Sequence, residues 1–311
     1  MEYYIGIDIG GTNVAIGIVD AKNEIIKKSS FKTLAPRPIA SIMDEIEENL
    51  QGLLDSAELK WSNIEGIGVA CPGFVKDGVI NYAQNLGFNN LDLKNEFVTR
   101  FGIKTSVVND ANAAAYAEAK VGAARGAKSV VAVTIGTGIG GGMVIDGKMV
   151  EGTSGAAAEI GHMIVVPGGR QCSCGNKGCF EAYCSASALS KETRSVAVND
   201  PELLAKFGSL DNINGKTVFD LVRKKEPKIL AIFDEYVKNF ARGLLNIIAL
   251  LEPDVIIIGG GLSKEGDGLL NPILEKLEAF GFYKTAKTQI KTAMLCNDAG
   301  IIGAALSAKG V

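Results

Sequence analysis

Two stretches near the start of the chain alternate apolar and polar positions in the way that β-strands do. The first covers residues 4–9, the second covers residues 14–20, and the turn Gly10-Gly11-Thr12-Asn13 joins them. Alternation on both sides of a glycine-rich turn is typical of a β-hairpin. The pattern therefore predicts a hairpin whose tip presents polar groups.

Other segments follow helical or buried-strand patterns. From Ile39 to Leu54 the apolar residues recur at helical spacing with acidic residues on the opposite side, which predicts an amphipathic helix. The remaining pattern predicts strands at residues 64–70, 105–108 and 255–258, and helices at about 111–120, 228–251 and 299–308. The strand at 105–108 runs into Asn109-Asp110, so we expect these polar side chains where a strand ends and a helix starts.

A weaker copy of the opening hairpin occurs later in the chain. Ile9-Gly10 is matched by Ile135-Gly136, and Asp20 by Asp146, an offset of 126 residues. A repeated strand-turn-strand unit indicates two similar domains, and small-molecule sites often lie in the cleft between such domains. We predict an N-terminal α/β domain formed by residues 1–110 and about 298–311, and a second α/β domain over about 111–297.

Glycine is the compositional outlier. It provides 38 of 311 residues, about 12% against a usual share of roughly 7%. The glycines cluster at predicted strand ends, in Gly10-Gly11-Thr12-Asn13, Gly136-Thr137-Gly138 and Gly259-Gly260-Gly261. Glycine lets backbone N–H groups approach an anion, and the threonines add hydroxyl donors. Each cluster alone is compatible with a tight turn, but the three together predict binding of nucleotide phosphates.

Two aspartates at predicted strand ends are candidates for the chemistry. Asp8 stands just before the first glycine cluster, and a carboxylate beside phosphate oxygens suits Mg²⁺. The alternative for Asp8 is a solvated carboxylate or a turn cap. Asp110 opens a predicted helix, where it is either a catalytic carboxylate or simply the N-cap, and the second role does not exclude the first.

The clearest metal signal is a histidine followed by three cysteines. His162, the only histidine, stands ten residues before the spacing Cys172-x-Cys174-x4-Cys179. One imidazole and three thiolates form a closed tetrahedral set of the kind that holds structural Zn²⁺. The alternative is three thiols without a metal and a histidine at the surface.

Charge and hydropathy exclude several classes of protein. The 32 Lys and Arg residues against 35 Asp and Glu residues leave a net charge of −3, so nucleic acid is not an expected partner. No uncharged apolar run is long enough for a membrane span, and the start lacks a signal-peptide pattern, so we expect a cytoplasmic protein without a membrane partner. A dinucleotide motif at Gly136–Gly141 is followed by a strand pattern where a helix is needed, which weakens a dehydrogenase reading.

Taken together, the motifs resemble those of the ROK family of sugar kinases and repressors, within the sugar kinase, Hsp70 and actin superfamily. The match covers nearly the whole chain and rests on Asp8-x-Gly10-Gly11-Thr12, Pro72-Gly73, Asn109-Asp110-x-Asn112-Ala113, Gly136-Thr137-Gly138-x-Gly140-Gly141-Gly142, Glu159-x-Gly161-His162 and Cys172-x-Cys174-Gly175-x-x-Gly178-Cys179-x-Glu181. The resemblance implies an α/β fold with two actin-like (ribonuclease H-like) domains that flank a central cleft. It also implies a homodimer that uses ATP to phosphorylate a hexose, with glucose first, at the 6-hydroxyl.

The resemblance also assigns roles to individual residues. Asp110 is the catalytic base, and Asp8 helps to hold Mg²⁺. The sugar is contacted by Gly73, Asn85, Asn109, Glu159, His162 and Glu181. ATP is contacted by Gly10, Gly11, Thr12, Asn13, Thr137, Gly138, Gly259, Gly260 and Gly261. His162 then serves both the metal, with Cys172, Cys174 and Cys179, and the sugar.

Two departures from the family pattern leave the preferred sugar open. Phe88 stands where tryptophan is commoner, and Ala158 stands where many members have glycine. An amino-sugar kinase, such as an N-acetylmannosamine kinase, is therefore the second hypothesis, and a non-catalytic sugar sensor is the third. Family repressors carry a DNA-binding head before the first strand, whereas here that strand starts within five residues of Met1, so we do not expect a repressor.

Overall fold

The computed structural model describes residues 2–310. The strands are β1 (Tyr3–Ile9), β2 (Asn13–Asp20), β3 (Ile25–Lys32), β4 (Ile64–Cys71), β5 (Phe74–Lys76), β6 (Val79–Ala83), β7 (Phe88–Asp92), β8 (Thr105–Asn109), β9 (Ser129–Ile135), β10 (Ile139–Ile145), β11 (Lys148–Met149), β12 (Val255–Gly260) and β13 (Gln289–Thr292). The helices are α1 (Ile39–Ser56), α2 (Leu93–Phe101), α3 (Asp110–Lys120), α4 (Glu181–Cys184), α5 (Ala186–Ala197), α6 (Pro201–Phe207), α7 (Gly215–Arg223), α8 (Pro227–Leu251), α9 (Asp267–Glu278) and α10 (Ala299–Ala308).

The first sheet contains the predicted opening hairpin, which is confirmed. Its strand order is β3-β2-β1-β4-β8. β1, β2 and β3 pair antiparallel, whereas β1 pairs with β4, and β4 with β8, in parallel. The predicted amphipathic helix is α1, and its apolar side chains Ile42, Met43, Ile46 and Leu50 are buried in the same core as those of β1 and β2.

A second sheet has the strand order β11-β10-β9-β12-β13. In it β10 and β11 pair antiparallel and β12 and β13 pair in parallel. Position by position this is the order of the first sheet, as the predicted repeat requires. A smaller antiparallel sheet, β5-β6-β7, follows β4 and was not predicted from the sequence.

Contacts along the chain define two compact units. Unit 1 comprises Met1–Val130, Gly142–Ala158 and Met294–Val311, and unit 2 comprises Val131–Gly141 and Glu159–Ala293. Residues 111–130 and 142–158 therefore group with unit 1, whereas the sequence analysis assigned both segments to the second domain. For residues 111–130 the reason is close helix packing, because a Cβ atom added at Gly303 of α10 would lie 1.9 Å from the carbonyl oxygen of Ala113 in α3.

The long apolar helix predicted at about 228–251 is α8, and it stops before Pro253 as expected. Within the described part of the chain, residues 2–310, no helix is both long and apolar enough to cross a lipid bilayer.

Candidate active site and metal centre

Unit 1 brings two aspartates to one edge of its sheet. β1, β4 and β8 run parallel, with Asp8 opposite Ala70 and Cys71 opposite Asn109, so their carboxyl ends meet at the same edge. Burial, and then the negative charge of Asp110, raise the pKa of Asp8 to about 7. Burial also raises the pKa of Asp110, against hydrogen bonds from its own backbone and from Ala111 that lower it. The Asp8 side chain is half-buried and lines a pocket, so its carboxylate is only partly solvated.

Cys71 is a member of this cluster that the sequence analysis missed. It is fully buried, and burial together with the charges of Asp110 and Asp8 raises the pKa of its thiol well above the usual value. The signal in the sequence was only its position at the end of the strand at 64–70. A neutral thiol near the two carboxylates adds no charge to this edge of the sheet.

The helix that carries Asp110 is capped by its neighbour. The Oδ1 atom of Asn109 accepts a hydrogen bond of 3.0 Å from the Asn112 amide, so Asn109 is the N-cap of α3. The reading of Asp110 as the N-cap is therefore wrong, since Asp110 lies in the first turn, where its Oδ1 accepts from the Ala111 amide at 2.8 Å. The Asn109 side chain also donates to the carbonyl of Gly73 at 3.0 Å, which joins two predicted sugar-site residues.

In the glycine turn of unit 1, the carbonyl groups of Gly10, Thr12 and Asn13 accept hydrogen bonds inside the protein. The Gly10 amide donates to Asn13, and Thr33 donates its hydroxyl to Gly10 at 2.6 Å and its amide to Thr12 at 3.0 Å. Such a turn favours presenting N–H groups outward, which suits an anion. The turn lines a pocket of about 720 Å³ together with Asp8.

Asn85 lies beside the same turn, because a Cβ atom added at Gly11 would be 3.4 Å from the Cβ atom of Asn85. Gly300, at the start of α10, lies against the carboxylate of Asp8, where an added Cβ atom would be 2.3 Å from Oδ2. A side chain at position 300 would therefore displace Asp8. The sequence analysis did not single out Gly300, because the contact joins residues far apart in the chain.

In unit 2 the other two glycine clusters come together. The Gly136 amide donates to the carbonyl of Gly138 at 3.0 Å, and Ala186 donates to the carbonyl of Gly136 at 2.9 Å. A Cβ atom added at Gly260 would lie 2.4 Å from the carbonyl oxygen of Ile135, so the Gly259–261 segment packs directly against the Gly136 turn. Two of the three predicted phosphate-binding segments thus meet within one unit.

Glu181 links this turn to the cysteine loop. Its Oε2 atom accepts a hydrogen bond of 3.0 Å from the Ile139 amide, and a Cβ atom added at Gly138 would lie 2.1 Å from the same oxygen. Its Oε1 atom accepts from the Ser173 hydroxyl at 3.4 Å. Glycine at position 138 therefore leaves the space that Glu181 occupies.

The predicted metal ligands are assembled. One ligand atom each from His162, Cys172, Cys174 and Cys179 lies within 4.8 Å of the others. The Cys172 Sγ atom is 3.7 Å from His162 Nδ1, and the Cys174 and Cys179 Sγ atoms are 3.6 Å apart. A tetrahedron with Zn–S bonds of about 2.3 Å has edges of roughly 3.7 Å, whereas a disulfide needs about 2.05 Å. The residues therefore fit Zn²⁺ and not a disulfide.

The two ring nitrogens of His162 face different groups, a cysteine of the cluster and a carboxylate. While Nδ1 faces Cys172, Nε2 lies 4.0 Å from the Oε2 atom of Glu159. A metal-bound histidine commonly places its second nitrogen beside a carboxylate, which fixes the ring orientation. The ring thus connects the cysteine cluster with a predicted sugar ligand.

The strand order, the glycine turns and the strand-end aspartates define an actin-like α/β protein of the sugar-kinase class. The model of the ROK family matches residues 4–311, and the chain belongs to this family. The glucokinase of Streptomyces coelicolor is 35% identical over 314 residues, which cover 98% of this chain and 97% of that protein.

Solved structures agree with this assignment and confirm the predicted fold class. The crystal structure of a ROK family glucokinase from Streptomyces griseus in complex with glucose and AMPPNP is 34% identical to this chain, with a TM-score of 0.84, covering 99% of this chain and 100% of that one. The N-acetylmannosamine kinase of Salmonella newport is less similar, at 28% identity over 311 residues and 98% coverage of both chains.

Proposed function

We propose that this protein is a glucokinase, which transfers the γ-phosphoryl group of ATP to the 6-hydroxyl of glucose. The observation that carries the proposal is the pair of strand-end carboxylates, Asp8 and Asp110, of which Asp8 lines one pocket with a glycine turn that binds three of its carbonyl groups within the protein. A catalytic base, a metal-binding carboxylate and an anion-binding turn are what phosphoryl transfer to a hydroxyl requires. The glucokinase relatives, at 34–35% identity over nearly the full chain, support the same activity.

Asp110 is the proposed base. A half-buried carboxylate with a raised pKa is a better proton acceptor than a fully solvated one, and Asp110 would accept the proton of the attacking hydroxyl as the new bond forms. The backbone of Gly73 and the side chains of Asn85 and Asn109 are proposed to bind sugar hydroxyls. In unit 2, Glu159, His162 and Glu181 are proposed to do the same, and glycine at position 138 leaves the space that the Glu181 carboxylate occupies.

The nucleotide is proposed to lie along the glycine turns. Amide and hydroxyl groups of Gly10, Gly11, Thr12, Asn13, Thr137 and Gly138 would bind phosphate oxygens, and Gly259, Gly260 and Gly261 would lie by the adenosine. Asp8 is proposed to hold Mg²⁺. Desolvation and the charge of Asp110 disfavour the ionised form of Asp8, and a bound cation would stabilise that form. Bound there, Mg²⁺ would neutralise charge on the phosphates.

The Zn²⁺ site is proposed to be structural. Three thiolates and one imidazole leave no open position for a substrate. Its role would be to hold the loop that carries Cys172, Cys174 and Cys179 next to Glu181, which lies two residues after the last cysteine. The homodimer and the cytoplasmic location stay predictions from the sequence.

A coupled assay with several sugars and several phosphoryl donors tests the proposal. Purified protein would be assayed with glucose, mannose, N-acetylmannosamine and N-acetylglucosamine, each with ATP, GTP and polyphosphate. We expect the highest kcat/KM for glucose with ATP, and glucose 6-phosphate as the product by NMR. Preference for N-acetylmannosamine would favour the second hypothesis. Binding of sugar without consumption of any donor would favour the sensor.

A further inference from the structure

The pocket beside the Gly10 turn contains an ion pair with no role in the function proposed above. The Nζ atom of Lys28, on β3, lies 2.7 Å from Oδ1 and 3.0 Å from Oδ2 of Asp298. Both residues line the pocket of about 720 Å³ together with Asp8 and the Gly10–Asn13 turn. Among the lining residues that lie within the described chain, Lys28 is the only one with a positive charge.

The charges that line this pocket indicate a role for Lys28 in phosphate binding. Asp8 and Asp298 are acidic, so without Lys28 the walls would repel a phosphate chain. The turn offers backbone dipoles, because its carbonyl groups accept hydrogen bonds from Thr33 and Gly10. Dipoles alone carry no net charge, and a mobile ammonium is the group that binds phosphate as a point charge.

The ion pair is built so that it can open. The side chains of Lys28 and Asp298 are 57% and 38% exposed, and ion pairs as exposed as this contribute little to stability. Asp298 occupies the N-cap position of α10, yet its side chain makes no capping hydrogen bond there. If Lys28 moved away, the partly exposed Asp298 carboxylate would be solvated by water in the pocket.

We propose that Lys28 exchanges Asp298 for the β- and γ-phosphates of the phosphoryl donor when a nucleotide enters this pocket. Asp298 is then solvated by water, and Lys28 determines the affinity of the pocket for polyphosphate chains. The inference rests on the proposed function, because it takes the Gly10 turn to be a nucleotide-phosphate site. It adds a residue that neither the sequence motifs nor the glycine turns identify.

Two matched lysine variants test the exchange. Lys28→Met removes the charge in the pocket, and Lys27→Met removes the same charge one residue earlier, where the side chain points to the opposite face of the strand and does not line the pocket. Dissociation constants for ADP, AMPPNP and AMP would be measured by calorimetry. Because Lys28→Met removes a charged hydrogen bond to phosphate, we expect it to weaken the binding of ADP and of AMPPNP roughly 10- to 100-fold. AMP affinity should change less than about twofold, as should all affinities of Lys27→Met.

The readouts separate this inference from the proposed function. If the ion pair were only structural, Asp298→Asn would weaken ADP binding as much as Lys28→Met does. If Lys28 exchanges partners as proposed, Asp298→Asn should bind ADP as tightly as the unmodified protein, or more tightly. Equal ADP affinities of the two lysine variants would overturn the inference, as would a Lys28→Met effect that is as large for AMP. Both lysine variants should have the same unfolding temperature as the unmodified protein.

If the unmodified protein phosphorylated no sugar, the proposed function would be contradicted. The nucleotide titrations would still test the role of Lys28 in that case.

Discussion

The two glycine-tipped hairpins occupy the same place in two sheets of the same strand order, yet they carry different chemistry. Both tips are closed by a backbone hydrogen bond of 3.0 Å, from Gly10 to Asn13 in one and from Gly136 to Gly138 in the other. At the offset of 126 residues that aligns Asp20 with Asp146, Asp8 is matched by Thr134. The first hairpin therefore has a carboxylate where the second has a hydroxyl. A shared backbone does not imply a shared role.

The two tips also differ in what supports them. The Gly10 turn is held by Thr33, which follows the next strand of its own sheet, whereas the Gly136 turn is held by Ala186 and packs against Glu181 beside the cysteine loop. The first site should therefore respond to changes of charge, and the second to loss of the metal. The comparison would be wrong if charge variants affected mainly the second site and loss of the metal affected mainly the first.

The largest effect is expected for Asp110→Asn in unit 1. An amide keeps the shape of the side chain but cannot accept the proton, so kcat should fall roughly 10²- to 10⁴-fold while glucose affinity stays within a few-fold. Steady-state kinetics and calorimetry with glucose measure the two quantities. Asp211→Asn, a change of the same kind at an exposed residue of unit 2, should leave both unchanged. Near-normal turnover of Asp110→Asn would refute the role of the base.

Loss of the metal should affect unit 2 most. Metal analysis of purified protein should find about one zinc per chain, and Cys179→Ser should lower the free energy of unfolding by on the order of 5 kcal/mol. Burial and the neighbouring thiols raise the pKa of Cys179 to about 12, so a thiolate there needs a cation beside it. Cys296→Ser, at an exposed cysteine outside the cluster, is the matched control. Zinc-free protein with full activity and stability would contradict the site.

The stability of the protein should depend on pH through Asp8, the carboxylate of the first hairpin. The pKa of Asp8 is raised in the folded state to about 7 from 3.8, so the folded protein binds the extra proton between these values and its stability falls as pH rises through this window. Each pKa unit corresponds to about 1.4 kcal/mol, so the roughly two units between pH 5 and the folded pKa of about 7 give a loss on the order of 3 kcal/mol between pH 5 and pH 8. Urea unfolding at pH 5 and pH 8, without added Mg²⁺, measures it. Asp8→Asn should remove most of the dependence, leaving the part due to Asp110, and an unchanged dependence would contradict the burial of Asp8.

The sequence was sufficient for elements with a strong pattern. The opening hairpin, α1 and α8 were predicted because their apolar residues repeat at strand or helix spacing over many positions. β3 was missed, since Lys27, Lys28, Ser29 and Ser30 interrupt any alternation in this strand at the edge of the sheet. Lys28 was missed with it. Only the pairing of β3 with β2 brings that lysine to the pocket.

Contacts between distant parts of the chain explain the other differences. The grouping of α3 with unit 1 depends on Gly303 lying against Ala113, and the position of Asp8 depends on Gly300. No local pattern in the sequence encodes such a contact. The grouping of His162, Cys172, Cys174 and Cys179, in contrast, was predicted in full, because the loop is short and these residue types have few other uses in that spacing.

The smallest effect is expected at Ala158, the last residue of unit 1 before Glu159 of unit 2. Its φ angle is +63°, a left-handed conformation that costs a residue with a Cβ atom roughly 1 kcal/mol or more. Ala158→Gly should therefore raise the free energy of unfolding by about 0.5 to 1 kcal/mol, after the greater flexibility of glycine in the unfolded chain is subtracted. Ala157→Gly, one residue earlier, where φ is not positive, should lower it instead, and urea unfolding of both variants measures the contrast. If Ala158→Gly also lowered stability, Ala158 would not hold the strained conformation, and the departure from the family's glycine would have no structural cost.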